Sequence, residues 1–132
     1  MEKLIEGRAP VAETERELSS GKRLKVSIYE LPEQRFPLLR RERILRPDGG
    51  EAERWMVANH LTIMLQEGAG ESRLAEILRA NGLPAAKAGP IRGSYLVEFD
   101  GKNPDTLPRV EALLRQSGVV EGVDRDFYSA PN

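Results

Sequence analysis

The sequence contains no cysteine, and it has one histidine and one tryptophan among its 132 residues. Without cysteine there can be no disulfide framework, no thiolate nucleophile and no Cys-rich zinc site. The lone histidine, His60, stands at the start of a predicted strand, without the partners that a metal site or nucleophilic catalysis requires. We therefore expect His60 to be packed or solvated, and we predict neither an enzyme nor a cofactor or metal site.

Long apolar runs and an excess of one charge are also missing. No apolar stretch is long enough to cross a bilayer, so we predict no membrane partner. The 20 Lys and Arg residues nearly balance the 21 Asp and Glu residues, which gives a net charge of −1. Nucleic-acid backbones demand a basic excess that this sequence does not have, so nucleic acid is not an expected partner.

Composition and patterning divide the chain into four predicted segments. A chain of this length is suited to one hydrophobic core with an extension. We predict a flexible N-terminal arm over residues 1–21, a strand and long hairpin extension over 22–59, a domain over 60–127 and an extended tail over 128–132. Within the arm, the Glu- and Ser-rich composition allows at best a short helix over residues 11–18.

The extension alternates apolar and polar residues at the period of a β-strand. Leu24, Val26 and Ile28 alternate with polar neighbours, which predicts the first strand. Further along, the dipeptide Asp48-Gly49 is a strong signal for a hairpin turn between two longer strands. The sequence therefore predicts one strand followed by a long hairpin.

Six charged residues of this hairpin allow two interpretations. They are Arg41, Glu42, Arg43, Arg46, Glu51 and Glu53. The arginines could form an anion site, but the interleaved glutamates favour cross-strand pairing on a solvated face. We predict the pairing.

From residue 60 the predicted elements follow the order strand, helix, strand, strand, helix, strand. The predicted strands cover residues 61–65, 85–90, 94–99 and 119–127, and the helices run from Glu71 to Gly82 and from Asp105 to Gly118. This order predicts a ferredoxin-like α+β fold, βαββαβ, in which two helices cover one face of a four-stranded antiparallel sheet.

The last predicted strand carries two acidic residues and leads into the tail. Asp124 and Asp126 are two residues apart, so they lie on one face of a strand. Pro131 has no backbone donor and holds Ala130 in an extended conformation. We therefore expect residues 128–132 to lie in a partner's groove, without a partner inside the domain.

From about residue 60 to residue 132, the sequence resembles the propeptide domain of subtilisin-like serine proteases and the related stand-alone inhibitors. The resemblance rests on Leu61-Thr62-Ile63-Met64-Leu65, the helix that closes at Gly82, Tyr95-Leu96-Val97-Glu98-Phe99, and Val120-x-x-Val123-Asp124-x-Asp126 before an extended tail. It implies a prodomain that keeps its protease a zymogen: an intramolecular chaperone and protease inhibitor whose partner is the catalytic domain, in cis or in trans. It also implies a secreted or cell-envelope location, although Met1 is followed by charged residues and no signal peptide.

The resemblance further implies roles for individual residues. Asp124 and Asp126 match positions that cap the N-termini of two helices of the enzyme, where free N–H groups and the helix dipole favour an anion. The implied cleft-binding tail consists of Tyr128, Ser129, Ala130, Pro131 and Asn132. The side of the sheet that faces the protease is implied to carry Thr62, Met64 and Leu96.

Two other interpretations use the same predicted topology. Residues 92–99 partly resemble the strand on which RNA-recognition motifs place stacking aromatic rings. However, Ser94, Leu96 and Thr62 stand where those rings are needed, which argues against RNA binding. The other alternative is a protein-interaction or dimerisation module, in which Thr62, Met64 and Leu96 form the interface.

Overall fold

A computed structural model of the protein describes residues 2–128. Within this range it has seven strands: β1 (Ala12–Glu17), β2 (Arg23–Glu30), β3 (Leu38–Leu45), β4 (Glu51–Leu65), β5 (Lys87–Ala88), β6 (Ser94–Glu98) and β7 (Val120–Phe127). The α-helices are α1 (Glu71–Ala80) and α2 (Thr106–Gln116), and short 3-10 helices span Glu2–Ile5 and Ser19–Gly21.

The seven strands belong to one sheet. Its hydrogen-bonded order is β1-β2-β3-β4-β6-β5, and β7 pairs with β4. The central strand β4 is 15 residues long. It pairs in antiparallel register with β3 from Glu51 to Val57, and with β6 from His60 to Met64.

The predicted fold, a four-stranded ferredoxin-like sheet with a separate N-terminal hairpin extension, is therefore wrong. A seven-stranded antiparallel sheet overturns it, because the second strand of the hairpin and the strand predicted from residue 61 are both parts of β4. The physical reason is continuity. No Gly or Pro interrupts residues 51–65, and apolar residues continue from Trp55 through Ile63 without a turn signal.

The described residues form two compact units. The N-terminal unit comprises residues 2–58, 101–104 and 127–128, and the C-terminal unit comprises residues 59–100 and 105–126. Phe127 and Tyr128, the last two described residues, thus belong to the N-terminal unit, although they directly follow Asp126 of the C-terminal unit in sequence.

Two apolar clusters form the core of the N-terminal unit. The first, the Trp55 cluster, contains Tyr29, Leu31, Leu39 and Trp55, with Leu4, Ile5 and Tyr128 packed against it. The second, the Val26 cluster, contains Val26, Ile28 and Ala58, with Ala12, Leu24 and Leu38 packed against it. Strand β2, which the alternation of its residues predicts, contributes to both clusters.

Residues 12–17 form strand β1, where composition predicts a flexible arm or a short helix; that prediction was wrong. β1 pairs antiparallel with β2 along its whole length. Ala12 is half-buried and the other five residues are exposed, so no apolar alternation marks the strand in the sequence. Pairing with β2 supplies the order instead, and a hydrogen bond from the Ser27 hydroxyl to the Glu13 carboxylate (3.1 Å) adds to it.

The predicted hairpin is confirmed as β3 and β4, and so is its cross-strand charge pairing. Arg41 forms an ion pair with Glu53 (2.7 Å), and Arg43 forms one with Glu51. The hydrogen bond between Arg43 and Glu51 raises the pKa of the Arg43 guanidinium and lowers the pKa of the Glu51 carboxyl. These arginines are therefore occupied by carboxylates, which argues against an anion site.

Glu42 does not lie on the solvated face where the pattern of charges places it. Arg40 and Glu42 are both buried, and the Arg40 Nε atom donates to the Glu42 carboxylate at 2.8 Å. Glu42 also accepts a hydrogen bond from Arg54 (2.7 Å), and Arg40 donates to the carbonyl oxygen of Pro104 (2.5 Å). This network ties β3 to the loop over residues 101–104 within the N-terminal unit.

The C-terminal unit buries one stripe of each α-helix, as the helical spacing predicts. Its buried apolar residues include Leu61, Ile63, Leu74, Leu78, Val97, Leu107, Val110, Leu114, Val120 and Val123. Helix α1 ends before Gly82, whose positive φ of 70° suits glycine. The weak strand predicted over residues 85–90 is confirmed only at Lys87–Ala88.

Candidate functional site

One side of the β4–β6 pair in the C-terminal unit is partly exposed around Thr62, Met64 and Leu96, and we call it the open face. Thr62 of β4 lies directly opposite Leu96 of β6, and Met64 lies opposite Ser94. Directly paired residues share a face of a sheet. Thr62 and Leu96 are half-buried, while Met64 is 36% exposed. The structure therefore brings together the three residues that were predicted to face the protease.

The opposite side of the same strand pair is closed. Leu61, Ile63 and Val97 alternate with the open-face residues, and all three are fully buried. Tyr95, which lies opposite Ile63, points to the same closed side, because its hydroxyl donates a hydrogen bond to Glu71 of α1 (2.5 Å). This bond raises the pKa of the Tyr95 hydroxyl. The two sides thus separate core from surface.

The two acidic residues of β7 border the open face. Arg125, between them in sequence, donates two hydrogen bonds to the Glu111 carboxylate of α2, at 3.1 and 3.0 Å. Because side chains alternate along a strand, Asp124 and Asp126 point to the side away from α2. There the Asp126 carboxylate meets the imidazole of His60 at 3.1 Å.

His60 shows which side of the sheet Asp126 occupies. It lies two residues before Thr62 in β4, so both side chains project to the open face. The His60 side chain is 5% exposed and that of Asp126 is 46% exposed. His60 is therefore packed, and its imidazole holds Asp126 at the border of the open face. Asp124 is exposed.

An exposed isoleucine, which the sequence pattern did not single out, lies in the turn beside Met64. Ile91 is 65% exposed in the turn between β5 and β6. A β-carbon added to Gly93 would lie 4.0 Å from the Met64 Cε atom, so this turn lies beside Met64. The turn-forming residues Gly89, Pro90 and Gly93 surround Ile91 in the sequence, and this pattern indicates an exposed apolar side chain in a turn.

The start of the tail lies in the N-terminal unit. The Tyr128 backbone N–H donates a hydrogen bond to the Trp55 carbonyl oxygen (2.9 Å), and its half-buried side chain packs against the Trp55 cluster. The expectation that Tyr128 has no partner within the domain was wrong, because β4 extends far enough to pair with it. The remaining predicted tail residues, Ser129, Ala130, Pro131 and Asn132, lie outside the described residues.

The structure places the lone histidine and the aromatic residues that the sequence singled out. Among residues 2–128, no group of three or more His, Asp or Glu side chains could hold a metal ion. His60 is buried against Asp126. RNA stacking would need aromatic rings on the open face, but Tyr95 lies on the closed side, and Thr62 and Leu96 occupy the open positions.

Comparisons with protein-family models, with curated proteins and with solved structures gave no match to this chain. In the part of the chain that the structure describes, no helix is long and apolar enough to cross a membrane.

Proposed function

We propose that the chain is the inhibitory propeptide of a subtilisin-like serine protease, either as the N-terminal part of the precursor or as a stand-alone inhibitor. The observation that carries the proposal is the open face, where Thr62, Met64 and Leu96 lie together, with Asp126 at its border and Asp124 on the same side of β7. In this proposal the protein assists folding of the catalytic domain, blocks its cleft, and is secreted or held in the cell envelope with it.

The spacing of the two carboxylates suits a pair of neighbouring helices on the protease. Two residues along a strand span about 7 Å, and packed helices lie about 8–10 Å apart. The free N–H groups and the dipole at a helix N-terminus both favour an anion. Each carboxylate thus meets one helix N-terminus, while the apolar residues of the open face pack against the sides of the helices.

The tail completes the proposed mode of inhibition. It lies in the substrate cleft as an added strand, and main-chain hydrogen bonds supply most of its affinity. The small side chains of Ser129 and Ala130 suit shallow subsites. Because Tyr128 is held by the N-terminal unit, the residues that follow it make the deepest contacts. Catalysis belongs to the protease.

The test is a titration of several purified subtilisin-like proteases with the full chain, read by hydrolysis of a small peptide substrate. A chymotrypsin-type serine protease is the control, because it shares the catalytic chemistry but lacks the helix pair and the cleft surroundings. We expect inhibition of at least one subtilisin-like protease and none of the control. If no subtilisin-like protease is inhibited, the proposal is wrong.

A dimerisation module is the second candidate, and exposed apolar side chains favour it. Met64 and Ile91 are 36% and 65% exposed, and such a surface can also bind a second copy of the chain. Light scattering separates the two candidates. A dimer that Met64→Lys dissociates, together with no protease inhibition, would favour the module.

A further inference from the structure

Tyr128, the last residue that the structure describes, is held at two points by the N-terminal unit. Its backbone N–H donates to the Trp55 carbonyl oxygen at 2.9 Å. Its half-buried side chain packs against the Trp55 cluster. The preceding residue, Phe127, lies beneath the Arg54 guanidinium, whose Cζ atom is 5.5 Å from the ring centroid. Consecutive residues are thus fixed by consecutive residues of β4.

These contacts fix the end of β7 and Tyr128 in place. Strand β7 ends at Phe127, and the Tyr128 hydrogen bond carries its pairing with β4 one residue further. A main-chain bond fixes the register of the strand, while packing of the ring on the cluster opposes rotation about the strand axis. An isolated strand end has neither restraint and frays.

We infer that the N-terminal unit positions the segment after Tyr128 for entry into the protease cleft, with Trp55 and Arg54 as positioning residues. The inference rests on the proposed function and gives a role to residues 2–58, which lie outside the part of the chain that resembles a propeptide. The unit need not touch the protease to have this effect.

The physical basis is pre-organisation. Binding of an extended segment costs the conformational entropy of every residue that must be ordered. When Tyr128 is already ordered in the free inhibitor, that part of the cost is absent on binding. Tyr128 also provides a fixed point of attachment for the segment that follows, which raises the effective concentration of that segment at the cleft.

The test compares four chains against a susceptible subtilisin-like protease. They are the full chain, the chain that lacks residues 129–132, and both of these with Trp55→Leu. The ratio of the inhibition constants without and with residues 129–132 measures the benefit of the tail. We expect Trp55→Leu to reduce this ratio about threefold, because it removes the ring contact that orders Tyr128 and keeps the main-chain hydrogen bond. Inhibition by the shortened chain should change by no more than about twofold.

Two further variants separate positioning from a general loss of structure. Trp55→Phe keeps an aromatic ring in the cluster, so it should restore most of the benefit of the tail. Val26→Ala removes volume from the Val26 cluster, to which Tyr128 does not belong. It should destabilise the same unit while changing inhibition by the full and the shortened chain equally.

A readout without protease distinguishes failure of this inference from failure of the proposed function. Trp55 is the sole tryptophan, so its emission reports directly on the cluster. We expect a red shift on Tyr128→Ala and slow hydrogen exchange of the Tyr128 amide in the unmodified chain. Fast exchange, or a tail benefit that Trp55→Leu leaves unchanged, would overturn the inference alone. A protected amide with no protease inhibited would overturn the proposed function and the positioning role with it.

Discussion

The Nε2 atom of His60 lies 3.1 Å from the Oδ2 atom of Asp126, and this contact distinguishes two acids that look equivalent in the sequence. Asp124 and Asp126 border the same face of the sheet. Only Asp126, however, also engages a buried imidazole across the β4–β7 pair. Asp126 therefore has a structural role as well as a place in the proposed interface, and substitutions of the two acids should differ accordingly.

Replacing both acids should weaken inhibition of a susceptible protease. Each charge at a helix N-terminus contributes about 0.3–1 kcal/mol, so Asp124→Asn with Asp126→Asn should raise the inhibition constant several-fold. Salt screens such contacts, so the difference should shrink when the titration is repeated at high ionic strength. An unchanged constant at low salt would show that the carboxylates do not cap helices of the enzyme.

The single substitutions should differ in their effect on folding stability. Asp126→Asn weakens the contact with His60 and should lower the free energy of unfolding by about 0.5–1.5 kcal/mol. Asp124→Asn is the matched control on the same strand and face, and should cost less than about 0.5 kcal/mol. Denaturant unfolding of the two variants measures the difference, and equal values would contradict a structural role for Asp126.

The buried network of Arg40, Glu42 and Arg54 in the N-terminal unit predicts a larger loss of folding stability than the contact between His60 and Asp126 does. Glu42→Ala removes the carboxylate that binds both Arg40 and Arg54 and leaves a buried guanidinium without that counter-charge. Breaking a buried ion pair from one side typically costs about 3–5 kcal/mol. Glu53→Ala, on the solvated face of the same hairpin, is the control and should cost less than about 1 kcal/mol. Thermal unfolding with similar losses for both variants would show that the network does not stabilise the unit.

The pair of Arg43 and Glu51 predicts a pH dependence with a definite sign. The hydrogen bond from Arg43 lowers the pKa of the Glu51 carboxyl in the folded state. A group with a lowered folded pKa contributes stability above its unfolded pKa, and that contribution is lost as the pH falls through the folded pKa. Glu51→Gln should therefore be less stable than the unmodified chain at neutral pH, and the difference should vanish at acid pH. A difference that persists in acid would mean that the charge of Glu51 is not its cause.

The elements that could be predicted from the sequence are those in which apolar residues recur at a regular spacing. The stripes of α1 and α2 and the alternation in β2 fix their type, and Asp48-Gly49 fixes the hairpin, because burial selects these patterns. Strand β1 could not be predicted, since its residues are exposed and its order comes from pairing with β2. The absence of Gly and Pro over residues 51–65 marks the continuity of β4, but the predicted boundary at residue 60 divided this strand between an extension and a domain.

The same distinction applies to the candidate site. Period-two alternation is enough to place Asp124 with Asp126, and Thr62 with Met64, on one face. Contacts between residues far apart in sequence leave no such signal. The anchoring of Tyr128 on Trp55 and the burial of Arg40 with Glu42 depend on the registers of β7 with β4 and of β3 with β4, which only the folded sheet defines.

The contacts of Tyr128 predict that C-terminal deletions lower the melting temperature markedly once Tyr128 itself is removed. Deleting residues 128–132 should lower the melting temperature further than deleting residues 129–132, because only the longer deletion removes a main-chain hydrogen bond and a half-buried ring. Together these contribute about 2–3 kcal/mol, which corresponds to roughly 5–10 °C for a chain of this size.

Tyr128→Ala in the chain that lacks residues 129–132 separates the contribution of the Tyr128 ring from that of its main-chain hydrogen bond. The variant keeps the backbone N–H that binds the Trp55 carbonyl oxygen and loses the ring, so its melting temperature should lie between those of the two deletions. Tyr128→Phe keeps the ring and should stay close to the chain that ends at Tyr128. Since loss of the ring exposes Trp55, the emission of this single tryptophan should shift to longer wavelength in the alanine variant and not in the phenylalanine variant. Equal melting temperatures for the two deletions would mean that Tyr128 contributes nothing to the N-terminal unit, and the contact with Trp55 could then not direct the segment that follows.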